Sequence, residues 1–148
     1  MNRPERAEQL FLQGANCAQS VACTFAEDLG ADRALTLRTA TGFGGGMGHS
    51  SNTCGALSGA VIALGLAFGM KDTGDQPAKD RTYALVAEAV RRFREKTGSV
   101  ACTDLLGFDL GVPEQLQKVR ELGLTKQKCP AFVKAAAEIV EQLLREAR

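Results

Sequence analysis

The chain has 148 residues, 45% of them hydrophobic and 24% charged, with a formal net charge of +1. That length suits a single domain, residues 1–148, whose core hides roughly 70% of the unfolded surface. The near-neutral balance lacks the basic footprint of nucleic-acid binding and offers no pull toward anionic lipid.

The N-terminus "MNRPERAEQLF" has no apolar leader run. Asn2, Arg3 and Pro4 predict the start of a first helix that Gly14 stops. Asn16 caps a second, with Ala18, Val21, Ala22, Phe25 and Leu29 at helical spacing and Gly30 at its end. Asp32 caps a third through about Thr41. The glycine-rich stretch "GFGGGMGHSSN" follows, and then an apolar helix from Ala56 to Met70. That run is shorter than the about 20 residues a membrane span needs, so it is expected as a central helix buried on all sides. Ser58, Ile62, Gly65 and Gly69 fall along one side of it, where small residues would admit a close neighbour.

Pro77 opens a fifth helix whose expected buried stripe is Tyr83, Val86, Ala87, Val90 and Phe93, closed by Gly98. Arg91, Arg92, Arg94 and Lys96 near its end suit a solvated face favoured by the helix dipole. Two short elements, "SVACTDLLG" and "VPEQLQKVRELG", precede a last amphipathic helix. Its stripe is Val133, Ala136, Val140, Leu143 and Ala147. No period-2 strand pattern occurs. The fold expected is all-α, a bundle of about six to eight helices around a central glycine-containing apolar helix.

The five cysteines carry the functional signal. Cys17 follows the Asn16 cap, Cys54 follows Ser51, Asn52 and Thr53, Cys102 follows Ser99, and Cys129 immediately precedes Pro130. All four are therefore expected at helix N-termini. Free N–H groups and the positive end of the dipole there ease ionisation to the thiolate, the form that attacks and that binds metal. Cys23 lies six residues beyond Cys17, turned about 120° and raised about 9 Å along the same helix. It is expected to be a packing residue.

Without CxxC or CxxCH, zinc-ribbon, thioredoxin-type and covalent haem readings have no support. Nor does the glycine stretch fit a phosphate loop, since no strand precedes it and no Lys-Ser/Thr follows. Its glycines are instead expected to let the backbone at Gly45, Gly46 and Gly55 approach a cofactor or another chain. His49, the only histidine, reads as a solvated loop residue, with ligand or proton relay as the alternative.

"GANCAQSV", the block from Cys54 to Gly59, "CTDLLG" and "KCPAFVKAAAEIVEQLL" together resemble the redox-active C_GCAxxG_C_C family over nearly the whole chain. Relatives often show an Arg-Met-Gly-Glu-like run where this chain has His49, Ser50, Ser51 and Asn52. The resemblance implies a helical protein whose family cysteines are Cys17, Cys54, Cys102 and Cys129. It is similar also to part of the split-Soret cytochromes, of which only the iron–sulfur part could carry over here.

Two classes of function follow. The first is a redox protein in which those four cysteines hold an iron–sulfur cluster, within one chain or across a homodimer, or work as a thiol–disulfide pair. The second is a non-catalytic protein with a structural zinc held by the four cysteines, or by three of them and His49. A small-molecule or anion binder built on the glycine loop is a third reading. The expected setting is cytoplasmic, with a redox partner protein of unspecified identity, no nucleic acid and no membrane insertion.

Overall fold

A computed structural model describes residues 1–147. Besides a kinked four-residue turn at Gly44–Met47, eight helices of five residues or more run in chain order among the described residues: α1 (Arg3–Leu12), α2 (Cys17–Ala26), α3 (Arg33–Ala40), α4 (Gly55–Phe68), α5 (Gln76–Thr97), α6 (Cys102–Leu106), α7 (Pro113–Leu122) and α8 (Leu124–Glu146). Among the described residues there is no strand, only one antiparallel bridge between Thr53 and Ala101. None of the described helices is long and apolar enough to cross a membrane.

The first helix starts form where local chemistry demands them. Asn2 and Asn16 each accept from the backbone three residues on, and Glu5 and Gln19 return the bond, closing two capping boxes. Asp32 and Asp75 cap α3 and α5 in the simpler way. The core is built from α2, α4, α5 and α8, with Phe25, Leu64, Phe93, Val133 and Val140 fully buried. α4 packs chiefly on α2, and α1 on α8.

Four sequence expectations are corrected. α4 is not enclosed all round: its first half, Gly55 to Ala60, is buried, but Leu66 is 39% exposed. The close approach uses a different face from the one expected. A Cβ at Gly59 would lie 2.5 Å from the Ala18 carbonyl oxygen, whereas one at Gly65 would meet nothing within 4 Å. The α5 stripe also rotates: Phe93 and Ala89 are buried, while Tyr83 is 66% exposed and Ala87 is exposed. Aromatic character alone did not place Tyr83 inside, because its hydroxyl end favours water and α5 is covered on one face only.

The fourth correction moves Cys129. The last helix begins at Leu124, set by Gly123 at φ +64°, and Pro130 lies inside it. Proline removes one N–H and crowds the carbonyl four residues back, but that carbonyl belongs to Lys126, exposed in the first turn of the helix, where it can turn to water. Cys129 thus stands more than one turn inside α8 and is not at a helix N-terminus.

Candidate functional site

Four separate pieces of local structure bring the cysteines to one end of the bundle. Cys17 is the first residue of α2, held by the Asn16 capping box. Cys54 is the N-cap residue of α4, and Gly55 lets that helix start press against α2. A Cβ there would sit 3.2 Å from the Cys17 Cβ and 3.0 Å from the Phe43 carbonyl oxygen. Cys102 is the first residue of α6. Its N–H donates to the Asn52 carbonyl (2.6 Å) and the Cys54 N–H donates to the Val100 carbonyl (2.7 Å), so the bridge draws two distant cysteines side by side. Cys129 comes in from α8.

All four line one cavity of about 260 Å³. Its other walls are largely apolar: Phe11, Leu105, Leu106, Leu110, Val119 and Phe132 are among them. Gly45, Gly46, Gly55 and His49 line it as well. Cys23 is buried elsewhere, outside this lining. All five thiols are free.

The glycine loop is a tight coil rather than an open strap. Gly45 and Gly46 are left-handed (φ +66° and +68°), and a Cβ at Gly46 would lie 2.6 Å from the Asn52 nitrogen. Ser51 and Asn52 donate backward to the Gly45 and Gly46 carbonyls. Met47, His49 and Ser51 also take positive φ, an unfavourable conformation for residues with side chains. Such strain concentrated beside one cavity is characteristic of functional loops.

The expected ease of ionisation is overturned for three of the four thiols. Burial pushes Cys54 up to about 12, even though the Ala56 and Leu57 N–H groups at the start of α4 oppose the rise. Burial also raises Cys102, against a hydrogen bond from Ser51. Cys17 and Cys129 are hydrogen-bonded to each other and behave as one unit. The pair gives up a first proton more readily than an ordinary thiol, because one S–H donates to the sulfur left behind, and it holds the second well above the usual range. Desolvation therefore outweighs the helix-terminal donors that the sequence suggested would dominate.

Sequence reasoning missed Arg120 and Thr125, which also line the cavity. Nothing in "VPEQLQKVRELG" separates Arg120 from the solvated charges around it. Among the described residues, no three His, Cys, Asp or Glu side chains are gathered closely enough to enclose a single metal ion.

The family model described as "Putative redox-active protein (C_GCAxxG_C_C)" matches residues 15–143. An uncharacterised protein of Archaeoglobus fulgidus is 33% identical over 150 residues, covering 95% of this chain and 92% of that one. No solved structure matches the chain. With four cysteines drawn from four elements and a match over most of its length, the chain belongs to the redox-active C_GCAxxG_C_C family.

Proposed function

We propose that Cys17, Cys54, Cys102 and Cys129 form one redox centre that holds an iron–sulfur cluster and exchanges electrons with a partner protein in the cytoplasm. The observation that carries this reading is the single cavity of about 260 Å³ with all four thiols in its walls. A lone zinc ion with bonds of about 2.3 Å would need the sulfurs drawn tightly together; a polyatomic group suits an open cavity better. The donor set also fits: four thiols are the ligands such clusters take.

A bound cluster supplies a one-electron couple whose potential responds to hydrogen bonds and solvent access. The chain's residues provide both. The Ala56 and Leu57 N–H groups near Cys54 and the Ser51 hydroxyl near Cys102 favour negative charge on those sulfurs. The leucines and phenylalanines around them exclude water. The raised thiols support the same reading, since buried protonated thiols are poor nucleophiles but become thiolates when a metal displaces the proton. All four thiols are supplied by one chain.

A second reading rests on the Cys17–Cys129 hydrogen bond: these two thiols are a dithiol couple. Anaerobic purification with iron, sulfide and zinc analysis separates the readings. Iron with acid-labile sulfide supports the cluster, zinc alone the structural-metal alternative, and a metal-free protein with a reversible Cys17–Cys129 disulfide the dithiol.

A further inference from the structure

The cavity has a second chemical character at its mouth. Arg120 and Thr125 lie at the end of α7 and the start of α8, and His49 lies at the end of the glycine coil; all three are exposed and line the cavity. The Arg120 guanidinium enters no ion pair or hydrogen bond among the described residues, nor do the Thr125 hydroxyl and the His49 ring. Asn16, the other polar side chain there apart from the thiols, is already committed to the Gln19 backbone and the Thr41 carbonyl. No carboxylate lines the cavity.

The loop is shaped around the imidazole. A Cβ at Gly45 would lie 2.3 Å from the His49 Cδ2, so only glycine lets the ring lie where it does. His49 itself is held at φ +64° to reach that position. Leu110, Leu116 and Val119 line the same cavity. The lining thus offers a permanently charged fork, an unspent hydroxyl and a short apolar wall.

We propose that the cavity mouth binds a small organic carboxylate, its anionic end on Arg120 and Thr125 beside His49 and its apolar body turned toward the cysteines. Arginine is matched to this role because its planar fork takes a carboxylate through two parallel hydrogen bonds. The ligand's part in electron transfer rests on the redox reading above; the binding site itself does not.

Isothermal titration of the full chain as purified, with hexanoate and with hexanamide as probes, tests the site. Hexanoate should bind about tenfold tighter than the uncharged amide, as one charge-assisted contact implies. Arg120→Gln should erase that preference, Arg120→Lys should keep part of it, and Lys118→Gln, on the same helix but outside the lining, should leave it intact. Equal binding of the two probes, no binding of hexanoate, or an equal loss in the Lys118 variant overturns the proposal. An absence of iron and sulfide in the same preparation would instead overturn the cluster and leave the carboxylate site standing.

Discussion

The seam between α5 and α8 and the thiol end of the bundle use polar groups in opposite ways. Along the seam, Glu88 takes both Arg91 and Arg92, Arg92 reaches on to Glu146, and Lys96 pairs with Glu138. Every one of those charges has a partner. At the other end the thiols, Arg120, Thr125 and His49 surround a cavity, and only the thiols have partners among themselves and their neighbours. No buried side-chain nitrogen or oxygen in the described structure lacks a partner; Arg120, Thr125 and His49 are exposed and have only water. Paired surface charge holds elements in register, whereas donors left free around a hollow await something to bind.

The two regions also fail at opposite ends of the pH scale. The Arg91 and Arg92 guanidiniums hold the Glu88 carboxyl down at about 2, so the seam is intact at neutral pH and weakens in acid. The thiol end is vulnerable to alkali, because Cys54 keeps its proton up to about 12 only while buried.

The sharpest break in this contrast comes from removing a thiol. Cys54→Ser or Cys17→Ser should abolish iron and sulfide retention, while Cys23→Ala should keep both at the unmodified level. Retention of a full complement by the Cys54 variant would remove it from the centre.

Next in size is the packing beneath the site. Gly59→Ala forces a methyl group onto the Ala18 backbone and should cost about 1–3 kcal/mol in denaturant unfolding. Gly65→Ala, with open space around it, should stabilise by about 0.5–1 kcal/mol through reduced freedom of the unfolded chain. Equal effects at the two glycines would mean that α2 and α4 do not meet as described.

A pH titration of the metal-free protein sharpens the comparison further. An unfolded thiol loses its proton near 9 while native Cys54 keeps its own to about 12, so stability should fall as pH rises through that window. On the acid side, native Glu88 stays charged below the ordinary 4.5. Its contribution should be present above about 4.5 and lost as pH falls toward about 2. Cys54→Ala should flatten the alkaline limb alone, and Glu88→Gln the acid limb alone.

The smallest effect belongs to the seam itself. Arg92→Ala should lower the melting temperature slightly, by an amount that shrinks in high salt, because exposed ion pairs are screened. Metal content should not change. Loss of iron in that variant would show that the two regions are coupled.

Much of this molecule was determined by local sequence. The Asn16–Gln19 capping box placed Cys17 at the head of α2, and the apolar period of α2 and α8 set which faces are buried, because capping and amphipathic burial depend on residues within a few positions of one another. The order of four cysteines was enough to indicate the family. Only the tertiary structure decided the rest. Gly123 rather than Pro130 starts α8, since a left-handed residue ends one helix and opens the next more decisively than a proline that a solvated carbonyl can accommodate. The bridge between Thr53 and Ala101, which sets Cys54 beside Cys102, joins segments almost fifty residues apart and leaves no local pattern. The thiols' proton affinity likewise followed from burial by distant side chains and not from their place on a helix. Arg120 became visible only once α7 was folded against the cavity, because a charge gains meaning from the hollow it faces, and that hollow is made by the whole chain.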